Sequence, residues 1–385
     1  MLGERLGISK VKRKVLSVFG TRPEAIKMAP VIRALLDDSS AECVICVTGQ
    51  HRQMLDQVLE LFDLHPDHDL DIMVQAQTLA HVTCRVLERL DAVLLQQRPD
   101  WVVVQGDTTS AMAAALAAFY RRIPVAHVEA GLRTNDVFNP YPEEVNRRYI
   151  DCIASIHFAA TEKNREVLLR EGASPSNVIV TGNTVIDALL HVADLPFSIE
   201  RSPLAGLPFD QKRILLVTAH RRENYGTPLR EICTALREIA ARHQDVHIVY
   251  PVHMNPSINK PVNELLSGVA NISLLPPLDY LTFVQLAKRS YLVLTDSGGI
   301  QEEMPSLCKP VLVMREVTER TEALEAGTAA LVGTSAAAIV AGVTELIRDS
   351  ERYRAMTSSK NPYGDGFAAR RIAARLLKGA GNGNG

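Results

Sequence analysis

The chain runs to 385 residues, 46% hydrophobic and 22% charged, a globular composition long enough for two domains that each bury a core. Its formal net charge of -2 carries no basic excess, which argues against nucleic acid as a partner. No segment approaches the roughly eighteen uninterrupted apolar residues of a membrane helix, and no apolar stretch follows the basic start (Arg5, Lys10, Lys12, Arg13, Lys14) to make a signal peptide.

A cytoplasmic protein with no membrane partner is therefore expected. In chain order, short β-branched runs alternate with stretches of helical period, the signature of parallel βαβ units. The first half offers strands at 15–19, 42–47, 101–105, 124–128, 156–159 and 178–180, with an alanine-rich helix at 111–120 suited to close packing on a sheet. Cys43 and Cys46 fall inside the second strand, where residues three apart face opposite sides, so they read as buried small hydrophobes and not as a redox or zinc pair. A looser stretch at 191–211, with Pro196, Pro203, Gly206 and Pro208, reads as a linker. A second series follows at 213–218, 247–250, 272–275, 291–295 and 310–314, and the Gly/Asn tail at 381–385 is expected to be disordered. The fold class is thus α/β, two Rossmann-like domains facing a cleft: residues 1–190 and 191–365, with 366–385 a further helix and the tail.

Ligands of open parallel sheets bind beyond the carboxyl ends of the strands, so the residues just after each strand matter most. After the first come Gly20-Thr21-Arg22-Pro23-Glu24-Ala25-Ile26-Lys27, where Thr21 and Glu24 resemble a capping box and Pro23 suits a first helical turn. Arg22 and Lys27 sit near a helix start, against the usual preference for acids there, and an anionic ligand would account for them. Gly106-Asp107-Thr108, Glu129-Ala130-Gly131 and Tyr141-Pro142-Glu143 then bring acidic groups to neighbouring strand ends. Asp107 as a helix N-cap and Glu143 as first-turn charge compensation explain each alone. Three carboxylates together look like acid and base groups.

In the second half, Ala219-His220-Arg221-Arg222 follows a strand, and His220 beside two arginines suggests a phosphate environment. Asp296-Ser297-Gly298-Gly299 opens a helix whose free N–H groups make a phosphate cradle, with Glu303 one turn in, within reach of ribose hydroxyls. There is no G-x-G-x-x-G after a first strand, no Walker lysine loop and no H-E-x-x-H, and His65-Pro66-Asp67-His68-Asp69 reads as a polar turn. No metal and no cofactor is required.

The runs VFGTRPEAIKMAP, QGDTTS, HVEAGLRT, TGNTVIDALL, TDSGGIQEE and NPYGDG, in this order, resemble the non-hydrolysing UDP-N-acetylglucosamine 2-epimerases from Lys14 to about Leu377. The resemblance implies a GT-B-like fold whose last helix crosses back to the first domain. It implies conversion of UDP-GlcNAc to UDP-ManNAc through elimination of UDP to 2-acetamidoglucal and its re-addition, supplying ManNAc for cell-surface polysaccharide. The expected partners are UDP-GlcNAc, UDP-ManNAc and UDP, and a second copy in a homodimer. Carried over by residue, Asp107, Glu129 and Glu143 stand at the sugar, and Arg22, Lys27 and His220 near the diphosphate. Ser297, Gly298 and Gly299 hold phosphates, Glu303 holds ribose, and Phe283 and Arg320 lie in stretches similar to the nucleotide contacts.

Departures from the pattern are Leu278 in place of a polar residue, Thr321 in place of a proline, and Ala76 where an arginine is expected beside a second, activating site that Gln50 and Gln53 resemble. Alternatives that remain open are a hydrolysing epimerase, an epimerase of a modified UDP-sugar, a glycosyltransferase and a nucleotide-sugar sensor without chemistry.

Overall fold

The computed structural model of the chain describes residues 12–49, 52–74 and 77–378; Gln50, Ala76, the tail 381–385 and the side chain of Gln53 lie outside the described part. The chain divides into two compact units, Met1–Ala188 with Gly366–Gly385, and Leu189–Asp365.

The first unit is built on a parallel sheet of seven strands among the described residues: β1 (Arg13–Phe19), β2 (Ala41–Val47), β3 (His68–Asp69), β4 (Trp101–Gln105), β5 (Val125–Ala130), β6 (Ile156–Ala159) and β7 (Val178–Val180), in the order β3-β2-β1-β4-β5-β6-β7. Val15, Leu16, Val18 and Phe19 of β1 are all buried, as a parallel strand covered on both faces requires. The helix Thr109–Tyr120 buries six alanines, whose small side chains let it lie close between the sheet and its neighbours. Each fully buried Leu or Ile of this core, such as Leu16 or Ile32, contributes about 2 kcal/mol.

The second unit repeats the plan with six parallel strands among the described residues: β8 (Arg213–Thr218), β9 (Val246–Pro251), β10 (Ile272–Leu275), β11 (Leu292–Thr295), β12 (Val311–Val313) and β13 (Ala329–Leu331), ordered β10-β9-β8-β11-β12-β13. Three features differ from expectation. His68–Asp69, read as a turn, pairs with Cys46–Val47 as a two-residue edge strand. β13, unanticipated in an Ala-Ala-Leu run, pairs with β12. The 191–211 stretch is no loose linker: the helix Thr184–Ala193 runs into it, and Leu204 is fully buried in the second core with Phe197, Ile199, Leu207 and Phe209 packed around it. Its prolines turn the chain, and its apolar residues cover the sheet.

The helix Ala368–Leu377 belongs to the first unit, packs on the helix Arg22–Leu36 and buries Ala369, Ile372, Ala373 and Leu376. Asp187 caps it, accepting the N–H groups of Ala368 at 3.2 Å and Ala369 at 2.8 Å, and Arg371 donates to the Thr181 carbonyl at 3.0 Å. Cys43 is half-buried and Cys46 buried, both unbridged, and burial pushes each thiol up to about 12. Among the described residues no helix is long and apolar enough to cross a membrane, and no cluster of side chains has the makings of a metal site.

Candidate active site

Each sheet reverses its strand order once, between β1 and β4 in the first unit and between β8 and β11 in the second. A crevice outside the carboxyl ends of the strands at such a reversal is where open α/β sheets take ligands. Gly20-Thr21 and Gly106-Asp107 end the first pair, and Ala219-His220 and Asp296-Ser297 end the second.

In the first unit, Thr21 caps the helix Arg22–Leu36 and forms the capping box with Glu24. The buried Glu24 carboxylate accepts the N–H groups of Gly20 (3.0 Å) and Thr21 (2.7 Å) and the Thr108 hydroxyl (2.6 Å). Burial raises its pKa, and these hydrogen bonds offset only part of that. Thr108, not Asp107, is the N-cap of the helix Thr109–Tyr120, accepting from Ala111 N at 3.0 Å. Capping therefore does not explain Asp107. Its carboxylate instead meets Arg147 Nη2, and its carbonyl accepts from Asn146 Nδ2 at 2.9 Å.

β5 extends two residues past the expected strand end because it carries a bulge between Val128 and Ala130. Glu129 is the bulged residue and adopts a left-handed φ of 66°. That conformation costs a non-glycine residue about 1 kcal/mol or more, and it re-aims the side chain. The Glu129 carboxylate is held by Lys27 Nζ at 2.7 and 2.6 Å, by Asn183 Nδ2 at 3.0 Å and by Gln105 Nε2. Gly106 itself has φ of 73°, which glycine adopts freely, and a Cβ built there would lie 3.8 Å from Glu129 Oε2. The Glu129 carboxylate thus flanks the turn that carries Asp107.

Glu143 opens the helix Glu143–Ile153, and its Oε2 is shielded from solvent with no hydrogen-bond partner among the described residues. The neighbouring Glu144 faces inward, accepting from Thr134 N (3.0 Å), Asn135 N (3.2 Å) and Arg148 Nε (2.9 Å). Burial opposes its ionisation, but these donors and Arg147 outweigh it and hold the carboxyl below its usual range. Arg22 is exposed and free of hydrogen bonds and ion pairs among the described residues.

In the second unit, Asp296 is fully buried and accepts from His220 N (2.9 Å), Arg221 N (2.9 Å) and Asn224 Nδ2 (3.0 Å), which shapes the turn after β8. The half-exposed His220 ring stacks on His253, with centroids 6.0 Å apart. Burial lowers the His220 pKa, Arg221 and His253 lower it further, and Asp296 opposes them. Ser297 caps the short helix Gly298–Glu303. A Cβ at Gly298 would sit 3.3 Å from Arg320 Cζ, so the glycine lets the guanidinium lie close over this turn. Arg320 is fixed there by Glu302 at 2.7 Å. Glu303 Oε1 lies 3.4 Å from a Cβ built on Gly299, and the Glu303 carboxylate stands beside the Tyr280 hydroxyl, whose pKa rises through burial and that neighbour. Phe283 and Leu278 pack against the second core.

The structure thus gathers Lys27, Asp107 and Glu129 around one strand-end turn with Glu143 on the adjoining helix, and Ser297, Gly298, Gly299, Glu303 and Arg320 around another. It places Lys27 on Glu129 and leaves Arg22 apart from that pair. Four polar residues were missed. Gln105 and Asn183 sit at strand ends, where the rule that selected the others applies equally. Asn146 and Arg147 belong to a helix whose inner face is polar, with Glu144, Asn146, Arg147 and Asp151 buried.

The comparisons with known proteins agree with one another. The family model described as UDP-N-acetylglucosamine 2-epimerase matches residues 33–377. The chain is 55% identical over 368 residues to the UDP-N-acetylglucosamine 2-epimerase of Escherichia coli (strain K12), covering 94% of this chain and 98% of that one. Among solved structures, it matches the UDP-GlcNAc 2-epimerase from Neisseria meningitidis bound to UDP-GlcNAc with a TM-score of 0.87 and 48% identity, over 95% of this chain and 100% of that one. The Methanocaldococcus jannaschii enzyme in complex with UDP-GlcNAc and UDP gives 0.76 and 35%, with the same coverage. Near-complete coverage in sequence and in structure leaves one conclusion: the chain belongs to the UDP-N-acetylglucosamine 2-epimerase family.

Proposed function

We propose that the protein interconverts UDP-GlcNAc and UDP-ManNAc without hydrolysis, by eliminating UDP to 2-acetamidoglucal and adding it back. The C2–H of the sugar is not acidic, since no carbonyl adjoins it. Departure of UDP from C1 leaves oxocarbenium character that acidifies C2–H, a carboxylate takes the proton, and UDP then rejoins C1 on its original face while an acid delivers a proton to the opposite face of C2. Such a path needs carboxylates at the sugar and donors at the leaving diphosphate.

The observation that carries this reading is the group of Asp107, the bulged Glu129 and Glu143 with its shielded, unpartnered Oε2. Asp107, Glu129 and Glu143 serve the sugar. Arg22, Lys27 and His220 serve the diphosphate, and Lys27 also holds Glu129 in place. Ser297, Gly298 and Gly299 take phosphate oxygens, Glu303 takes the ribose, and Phe283 and Arg320 adjoin the nucleotide. Gln50 and Gln53 are the residues of a possible activating site, tested by whether UDP-GlcNAc gives sigmoidal kinetics.

Incubation with UDP-GlcNAc alone in deuterated water tests the reaction. Deuterium at C2 of a sugar still joined to UDP is expected. Accumulation of free ManNAc and UDP would show a hydrolysing enzyme instead. The enzyme works in the cytoplasm as a source of ManNAc units for cell-surface polysaccharide, and it does so as a homodimer. The exposed Leu95, Phe119 and Tyr120 on two adjacent helices support self-association, which sedimentation checks.

A further inference from the structure

His127 lies on β5, two residues before the bulge, with its side chain fully buried. Its Nδ1 meets Asp151 Oδ1 at 2.6 Å and its Nε2 meets the Gly106 carbonyl at 2.7 Å. A backbone carbonyl can only accept, so Nε2 carries a proton. The Asp151 carboxylate also takes Arg133 Nη2 at 2.7 Å and the Gly131 N–H at 3.2 Å, both of which can only donate. Both reach Oδ2, and the Arg133 cation beside it keeps the carboxylate ionised, so that Oδ1 accepts from Nδ1. Burial opposes this ionisation, and His127 and Arg133 outweigh it. The ring is an imidazolium, and the cluster balances its charge: His127 and Arg133 against Asp151 and Glu171, which meets Arg133 at 2.6 Å.

The grip on Gly106 has a geometric effect on its neighbour. The Gly106 carbonyl belongs to the planar peptide unit that precedes the Asp107 Cα, and the Asp107 carbonyl, held by Asn146 Nδ2 at 2.9 Å, belongs to the one that follows. With both planes fixed, the two backbone torsions of Asp107 are fixed, and so is the direction of its Cα–Cβ bond, from which the carboxylate reaches Arg147. Asn146 and Asp151 lie on the same helix that begins with Glu143. We infer that His127 is a positioning residue: a buried imidazolium that links Asp151 to the Gly106 carbonyl and thereby aims Asp107 at its target. This rests on the reading that Asp107 acts on the sugar.

Two substitutions divide the ring's functions, since an asparagine amide takes the place of Nδ1 and a glutamine amide that of Nε2. His127→Asn keeps the donor to Asp151 and loses the one to Gly106; His127→Gln does the reverse. Expected is a loss in kcat of about a hundredfold in His127→Asn, the scale of an ångström misplacement, with KM little changed, and recovery of most of that loss in His127→Gln. Thermal stability should rank the other way. If kcat instead follows melting temperature across the pair, or His127→Asn keeps full kcat, the positioning role is overturned. A measurement on the unaltered enzyme applies even if neither variant folds: nitrogen-15 histidine spectra near neutral pH should show both His127 ring nitrogens protonated, and a bare Nε2 would refute the inference. Exchange surviving in Asp107→Asn would sink the assigned function; its loss there, beside full kcat in His127→Asn, would sink only the role of His127.

Discussion

Arg147 lies one helical turn beyond Glu143, and its Nη2 closes on the carboxylate of Asp107. One helix thus carries an acidic group of the site and the cation that holds another. The amide oxygen of Asp107→Asn still accepts from Arg147, so this variant removes proton transfer with little change in shape. Deuterium exchange at C2 should fall by about a thousandfold, as loss of a general acid or base does, while UDP affinity by calorimetry stays near wild type.

Lys27→Met leaves the Glu129 carboxylate, already held in a left-handed backbone conformation, without its cation. The pair is largely buried, and breaking such a pair costs more than its formation contributes. A loss of about 2 kcal/mol in denaturant unfolding is expected, with a fall in kcat. Lys27→Met/Glu129→Gln should recover part of the stability and none of the activity.

His220 should titrate below its ordinary value of about 6.5, since burial, Arg221 and His253 outweigh Asp296. Arg221→Gln is expected to raise the midpoint and Asp296→Asn to lower it, read from the ring proton resonances. Because the folded value is depressed, the stability linked to the neutral ring is present above about 6.5 and is lost as pH falls through the folded value.

Asp151 gives an acid-side signature. Its folded pKa lies below the unfolded one, because His127 and Arg133 outweigh burial. Its contribution is complete above about 4 and disappears as pH falls through the folded value. Asp151→Asn should destabilise by about 3 kcal/mol at neutral pH, and the gap to wild type should narrow on acidification. A constant gap down to the lowest pH at which the protein folds would contradict this.

Strands such as β4 and β8 were legible because a parallel strand buried on both faces must be a continuous apolar run. β3 and β13 were not: His68–Asp69 is polar and two residues long, and Ala329–Leu331 has no β-branched residue. The site was legible where chemistry shows in residue type at a strand end, as with Asp107, His220 and Ser297. The φ of Glu129 leaves no mark in composition, since nothing about a glutamate announces a bulge. Arg147 stayed hidden because a charged residue on a helix reads as solvated until tertiary packing turns it inward.

The helix Ala368–Leu377 completes the first unit although nearly two hundred residues separate it from Asp187, the residue that caps it. During synthesis the second unit can therefore close while the first still waits. A nascent chain halted near residue 360 would leave the partner face of the helix Arg22–Leu36 bare, with Asp187 holding no amide. For this enzyme the synthesis of the helix Ala368–Leu377 decides whether a sheet made long before it reaches its finished state.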